Sequence, residues 1–187
     1  MFDSWESHFY PETIHPLTGS GTLRNLAGHR NFAELSHFEF GATQIRQVQI
    51  ELGPSCVPHT FDGAHLRPIH GFLFQDVYEW AGQYRSVDMM KGRSQFALVA
   101  GGIDRHLNDV HKVVEGTSWR RLNHGQFAVQ SAIVFAYLNQ AHPFREGNAC
   151  FFANIGGELS YALITGEDAM ASQLEEAKQI TPVRPGF

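Results

Sequence analysis

The sequence predicts a mostly α fold, a single helical domain carrying one small β-hairpin. Three observations lead there. Apolar residues recur at steps of three or four along several long stretches, the spacing of a helix with one buried face. One short segment, residues 86–98, alternates apolar and polar residues instead, around Lys91-Gly92-Arg93-Ser94. The length of 187 residues, 43% apolar and 18% charged, suits one soluble domain with a sizeable core.

Taken in order, residues 1–28 form an arm. Pro11, Pro16, Gly19 and Gly21 break any regular element there and predict extended chain with turns. From Asn31 to about Leu52, the set Phe32, Leu35, Phe38, Ile45, Val48 and Leu52 suits a helix stopped by Gly53-Pro54. A second helix is predicted from Gly63 to Ala81, closed by Gly82. Its apolar positions are Leu66, Ile69, Leu73, Val77 and Trp80. The hairpin follows, without the Asn-Gly turn that marks the tightest loops. Helical spacing returns from Ile103 to Val114 and from Gln126 to Gln140. The latter leaves so little polar face that it is expected to be the central buried helix. Residues 151–163 and 169–179 complete the helices. No repeat or low-complexity tract divides the chain, so residues 1–187 are expected to be one domain.

Composition narrows the function. A net charge of −5 speaks against general nucleic-acid binding, which needs a basic face. Cys56 and Cys150 are far apart and form no CxxC, so neither a disulfide framework nor a thiolate metal site is expected. No apolar run approaches a membrane span, and no basic-then-apolar leader opens the chain. A cytoplasmic protein without membrane association is expected, and a leaderless export route is compatible with the same features.

The chemistry concentrates in residues 142–148, His142-Pro143-Phe144-Arg145-Glu146-Gly147-Asn148. Pro143 must end or kink the preceding helix. A lone histidine at such a place is most often a cap or a core residue. Here a carboxylate follows one short turn later, and Gly147-Asn148 opens the next helix, whose free N–H groups suit an anion. Base, metal-binding oxygen and phosphate-facing backbone together point to a metal–phosphate pocket.

This run resembles the first seven positions of the signature of the Fic (Fic/Doc) family, His-Pro-Phe-x-(Asp/Glu)-Gly-Asn-Gly-Arg-x-x-Arg. Asp62 to His70 and Leu73 to Arg85 are similar to the family's upstream helix. Residues 91–96, Lys91-Gly92-Arg93-Ser94-Gln95-Phe96, resemble its flap, and Leu23-Arg24-Asn25 its opening arm. The likeness runs from about Tyr10 to Asn148. It implies a Fic-type helical bundle with its flap hairpin over residues 86–98 and its catalytic loop over 142–148. It also implies transfer of a nucleotide monophosphate, usually AMP from ATP, to a Ser, Thr or Tyr hydroxyl of a target protein. By position, His142 would be the base, Glu146 the ligand of Mg²⁺, and Gly147 and Asn148 the binders of α-phosphate oxygens. Phe144 would point into the core and fix the loop. Lys91, Gly92, Arg93, Ser94, Gln95 and Phe96 would hold the target as an added strand.

After Asn148 the pattern breaks. Ala149-Cys150-Phe151-Phe152 contains neither the second glycine nor an arginine. If Tyr161-Ala162-Leu163 matches the family's usual Gly-Tyr-x-Leu, the chain is short by about four residues, close to one helical turn. Loss of the arginine clamp predicts weak or altered nucleotide binding. Active relatives are restrained by a helix of pattern (Ser/Thr)-x-x-x-Glu-(Gly/Asn). Ser172-Gln173-Leu174-Glu175-Glu176-Ala177 comes close but ends in alanine. A domain without that helix resembles a bacterial toxin whose small antitoxin supplies it. Two alternatives stay open: an inactive binding module for an antitoxin or target, and transfer of another nucleotide or of phosphate.

Other features carry less. His65 and His70, like His106 and His111, are five apart and do not share a helical face, and no HExxH is present. Cys150, followed by two phenylalanines, reads as a buried apolar residue.

Overall fold

The structure is a computed structural model that describes residues 4–52, 63–91 and 93–148. Cys56, Gly92, Cys150, the expected helices over 151–163 and 169–179, and the inhibitory-type segment Ser172 to Ala177 lie outside the described residues, as does Ala149. The described elements are α1 (Phe32–Leu52), α2 (Gly63–Phe74), β1 (Met90–Lys91), β2 (Ser94–Gln95), α3 (Gly102–Gly116) and α4 (His124–Ala141). A mostly helical chain with one hairpin is therefore what forms.

The arm doubles back on itself. The Tyr10 N–H donates to the Thr22 carbonyl at 3.0 Å and the Arg24 N–H to His8 at 2.8 Å. Phe9 and Leu23 bridge across this pair and are both buried. The Leu26 N–H then donates to the Val77 carbonyl at 2.9 Å, fastening the arm to the segment after α2. Asn31 starts α1, its Oδ1 accepting from the Ala33 and Glu34 N–H groups at 2.8 and 3.3 Å. Of the apolar set expected to be buried, Leu35 is, and Phe38 packs at the core edge. Phe32, Ile45 and Val48 are exposed. A bidentate pair, Arg46 to Asp76 at 2.6 and 2.9 Å, ties α1 to the chain after α2.

α2 stops at Phe74, seven residues before the expected end at Ala81. The Val77 and Tyr78 N–H groups both return to the Phe74 carbonyl, and the chain continues in turns to Gly82. Every position of the predicted apolar set, Leu66 to Trp80, is nonetheless buried. The spacing recorded burial correctly, whereas helix continuity lost to tertiary packing. The turns let Tyr78 stack on Trp80 at 4.3 Å and bring Gly82 against α2. A Cβ on Gly82 would meet the Arg67 carbonyl at 2.9 Å, and its φ of 75° already favours glycine.

α3 buries Ile103, Leu107, Val110 and Val114, one face at helical spacing, and packs on α4. α4 begins with a capping box, Asn123 and Gln126 exchanging side-chain and backbone bonds at 2.9 and 3.1 Å. Among the described residues α4 is buried along one face only, by Val134, Leu138 and Ala141. Val129, Ile133 and Phe135 are exposed, so burial on all sides, expected from its composition, is not what these residues show. Among the described elements α3 supplies the most extensive packing against it. At its far end the helix delivers the chain into residues 142–148.

Candidate active site

His142 is the C-terminal cap of α4. Pro143 ends the helix as its ring requires, and His142 takes a left-handed backbone, φ 41° and ψ 58°. No other described non-glycine residue has positive φ. That conformation costs of order 1–3 kcal/mol, and the surroundings maintain it. The His142 N–H donates to Leu138 at 3.0 Å, and its carbonyl accepts from Arg85 Nε at 2.8 Å. Phe96 lies flat on the imidazole, centroids 3.8 Å apart and planes 7° from parallel. Nδ1 is buried with no well-formed hydrogen bond, leaving Nε2 as the nitrogen that can meet a reacting hydroxyl. Burial pulls the ring's pKa down to about 4, helped by the Arg85 and Lys91 charges and only partly opposed by the Asn139 carbonyl. The imidazole is neutral at pH 7, the form that accepts a proton.

The loop after His142 is clamped from within. Asn148 is buried, its Oδ1 accepting from the Phe144 N–H at 3.0 Å and its Nδ2 donating to the Phe144 carbonyl at 2.8 Å. Phe144 is fully buried, as expected, and stacks on His70 at 3.8 Å. Gly147 has φ 77°, and a Cβ there would stand 2.3 Å from the Phe74 ring. Position 147 therefore excludes a side chain on both conformational and steric grounds. Glu146 is exposed; its Oε1 accepts from the Gly147 N–H at 3.1 Å. Arg145 points the other way, buried over the Trp5 ring at 3.9 Å and near Phe9 at 5.0 Å.

Sequence reasoning missed two residues that hold this loop. His70, fully buried, accepts from the Gly82 N–H through Nδ1 at 2.9 Å. Its proton must then sit on Nε2, which donates to the Glu146 carbonyl at 3.1 Å. Burial holds its pKa down at about 4, so the ring stays neutral. Arg85, also buried, donates to carbonyls on both sides of the site. Both end stretches that resemble the family's upstream helix, Asp62 to His70 and Leu73 to Arg85, but that likeness gives neither of them a role at the loop.

The flap stands beside His142. Met90 pairs with Gln95 and Lys91 with Ser94, antiparallel, and all four strand side chains are exposed. Gln140 of α4 holds its base, accepting the Ala97 N–H at its carbonyl (2.8 Å) and donating Nε2 to the Gln95 carbonyl (2.9 Å). The structure thus brings His142, Lys91, Phe96, Glu146, Gly147 and Asn148 to one end of α4. Gly92 lies outside the described residues, and Arg93 is exposed.

The donor set suits a small hard cation. Among the described residues the loop offers one exposed carboxylate, Glu146, and no cluster of three or more metal-binding side chains, which fits Mg²⁺ only as an ion completed by phosphates and water. Among the described residues no helix is long and apolar enough to cross a membrane.

Comparison with known proteins gives a consistent result. The Fic/DOC family model matches residues 60–151. The chain is 35% identical over 130 residues to Protein adenylyltransferase VbhT of Bartonella schoenbuchensis, covering 69% of this chain and 27% of that protein. It is 32% identical over 152 residues to Probable protein adenylyltransferase Fic of Salmonella typhimurium, covering 78% and 72%. The chain thus spans about a quarter of the first relative and nearly three quarters of the second. Among solved structures it resembles the N-terminal Fic domain, with bound ADP, of a putative cell filamentation protein from Bartonella quintana. That match has a TM-score of 0.64 at 27% identity, covering 91% of this chain and 84% of the other.

Proposed function

The chain belongs to the Fic/DOC family, and from that premise we propose that it is a protein adenylyltransferase, moving AMP from ATP to a hydroxyl of a target protein. The observation that carries the proposal is a neutral imidazole at the end of α4, beside an exposed carboxylate and a two-stranded flap. His142 Nε2 takes the proton from the acceptor hydroxyl as its oxygen attacks the α-phosphorus of ATP, and the bond to pyrophosphate breaks. Glu146 is the residue that would hold Mg²⁺, which offsets negative charge on the phosphates when bound.

Gly147 and Asn148 shape the turn that faces the α-phosphate. Asn148 spends two of its side-chain bonds on Phe144, so its contribution to phosphate is its second amide proton and its backbone. Flap residues Lys91, Gly92, Arg93, Ser94, Gln95 and Phe96 bind the target as a third strand, since a two-stranded ribbon leaves free backbone edges. The whole chain, residues 1–187, acts as one cytoplasmic domain, toxin-like and held by a small antitoxin.

After Asn148 the chain runs straight into Ala149 without the Gly-Arg-x-x-Arg of the family signature, so the activity is impaired relative to a full signature. This same departure favours a second reading, a binding module without chemistry. Incubation of host proteins with the chain, Mg²⁺ and ATP, UTP or GTP, read by intact mass, separates them. A gain equal to AMP that disappears with His142→Ala supports the transferase. A chain that gains activity once Gly-Arg-x-x is inserted after Asn148 with Ala149→Arg places the defect in the motif. A folded, repaired chain that transfers nothing to any protein leaves the binding module.

A further inference from the structure

Arg85 is a buried cation whose hydrogen bonds all run to main-chain carbonyls. Nε donates to His142 at 2.8 Å and Nη1 to Val87 at 2.8 Å. Nη2 donates to Ala97 and, at 3.3 Å, to Ala141. Its own N–H donates to Pro143 at 2.9 Å. Val87 and Ala97 are the two stems of the flap, on either side of β1 and β2. Ala141 and His142 are the end of α4. Among the described residues the carboxylate paired with it is Asp88 at 3.8 Å, half exposed to solvent. The guanidinium is therefore balanced chiefly by carbonyl oxygens, among them those at the negative end of a helix. Its planar fork reaches carbonyls in two directions at once, which the single ammonium of lysine cannot do.

We propose that Arg85 is a positioning residue for the transfer reaction: one buried guanidinium fixes both flap stems against the backbone of His142, so that a hydroxyl held by the flap meets Nε2. The proposal rests on the adenylyltransferase reading for its consequence and on hydrogen bonds of this chain for its geometry. Its second effect is electrostatic. The groups that bear on the His142 ring are Arg85 below it, Lys91 from the flap, the Asn139 carbonyl from α4 and the uncharged Phe96 face. Asp88 partly offsets Arg85. Both charges on this ring are positive, so removing either favours its protonated form.

Two substitutions test the proposal, Arg85→Lys and Arg85→Met, at a temperature where each is folded by circular dichroism. Arg85→Lys should keep the KM for ATP, raise the KM for the target and lower kcat roughly tenfold to a hundredfold, the scale of a misplacement of about 1 Å. In Arg85→Met, the His142 pKa read by NMR should rise above its value in the unsubstituted chain. A folded Arg85→Lys with unchanged kcat and target KM, or a folded Arg85→Met with unchanged His142 titration, overturns it. One measurement needs no substitution. Side-chain N–H resonances of Arg85 in the unsubstituted chain should be resolved and protected from exchange, and exchange at the solvent rate sinks the proposal. The NMR readings do not depend on transfer. If the chain modifies nothing, the adenylyltransferase reading fails while they still report on Arg85.

Discussion

At position 147 two constraints meet, a φ of 77° and a Phe74 ring 2.3 Å from where a Cβ would stand. The left-handed backbone costs a side-chain-bearing residue about 1–2 kcal/mol and overpacking adds about 1–3. Gly147→Ala should therefore lower stability by roughly 2–5 kcal/mol, measurable by urea unfolding. An unchanged midpoint would mean that neither the backbone conformation nor the Phe74 ring resists a side chain there. His142 offers a different test. Its folded pKa lies at about 4 instead of 6.5, because burial and the neighbouring cations penalise the charged ring. A base works when unprotonated, so activity is retained as pH falls through 6.5 and is lost only as pH falls through about 4. The acid limb of kcat/KM against pH locates that value. A limb centred near 6.5 would show a solvated His142 in the working protein.

Among the elements, α4 carries the site, and its start is as well defined as its end. The Asn123–Gln126 capping box satisfies N–H groups that the helix leaves free. Asn123→Ala should cost about 0.5–2 kcal/mol in a thermal melt without altering the chemistry at the far end. Loss of transfer activity at a temperature where the variant is folded would couple the two ends in a way this structure does not predict. Helices α1, α3 and α4 were legible within a residue or two because each shows local apolar spacing and a start or stop signal. α2 was over-extended. Val77 and Trp80 keep helical spacing, and only the stacking of Tyr78 on Trp80 and the approach of Gly82 to Gly71 turn the chain earlier.

Across the whole molecule, the arm is part of the site's support. Trp5 lies under the Arg145 guanidinium at 3.9 Å, meets Phe9 edge-on, and donates Nε1–H to the Gly19 carbonyl at 2.8 Å. Arg145 Nε and Nη2 are buried without hydrogen-bond partners, so the aromatic face and the charge of the adjacent Glu146 compensate them. Trp5→Ala should destabilise the protein by roughly 2–3 kcal/mol, from lost packing and a stranded charge. Trp5→Phe should lose less, keeping a ring under the cation. Equal unfolding midpoints for the two variants would assign the stability to the Trp5 hydrogen bond instead. The sequence by itself determined α1, α3 and α4, the hairpin, the break at Pro143 and the residue types of the loop, since local spacing and backbone chemistry specify these. Tertiary structure alone decided that His70 holds Glu146, that Arg85 joins the flap to His142, and that Asn148 turns its side chain back on Phe144. The first two contacts span 76 and 57 residues. They answer carbonyls left unpaired where elements end and meet, and no local pattern records which carbonyls those will be.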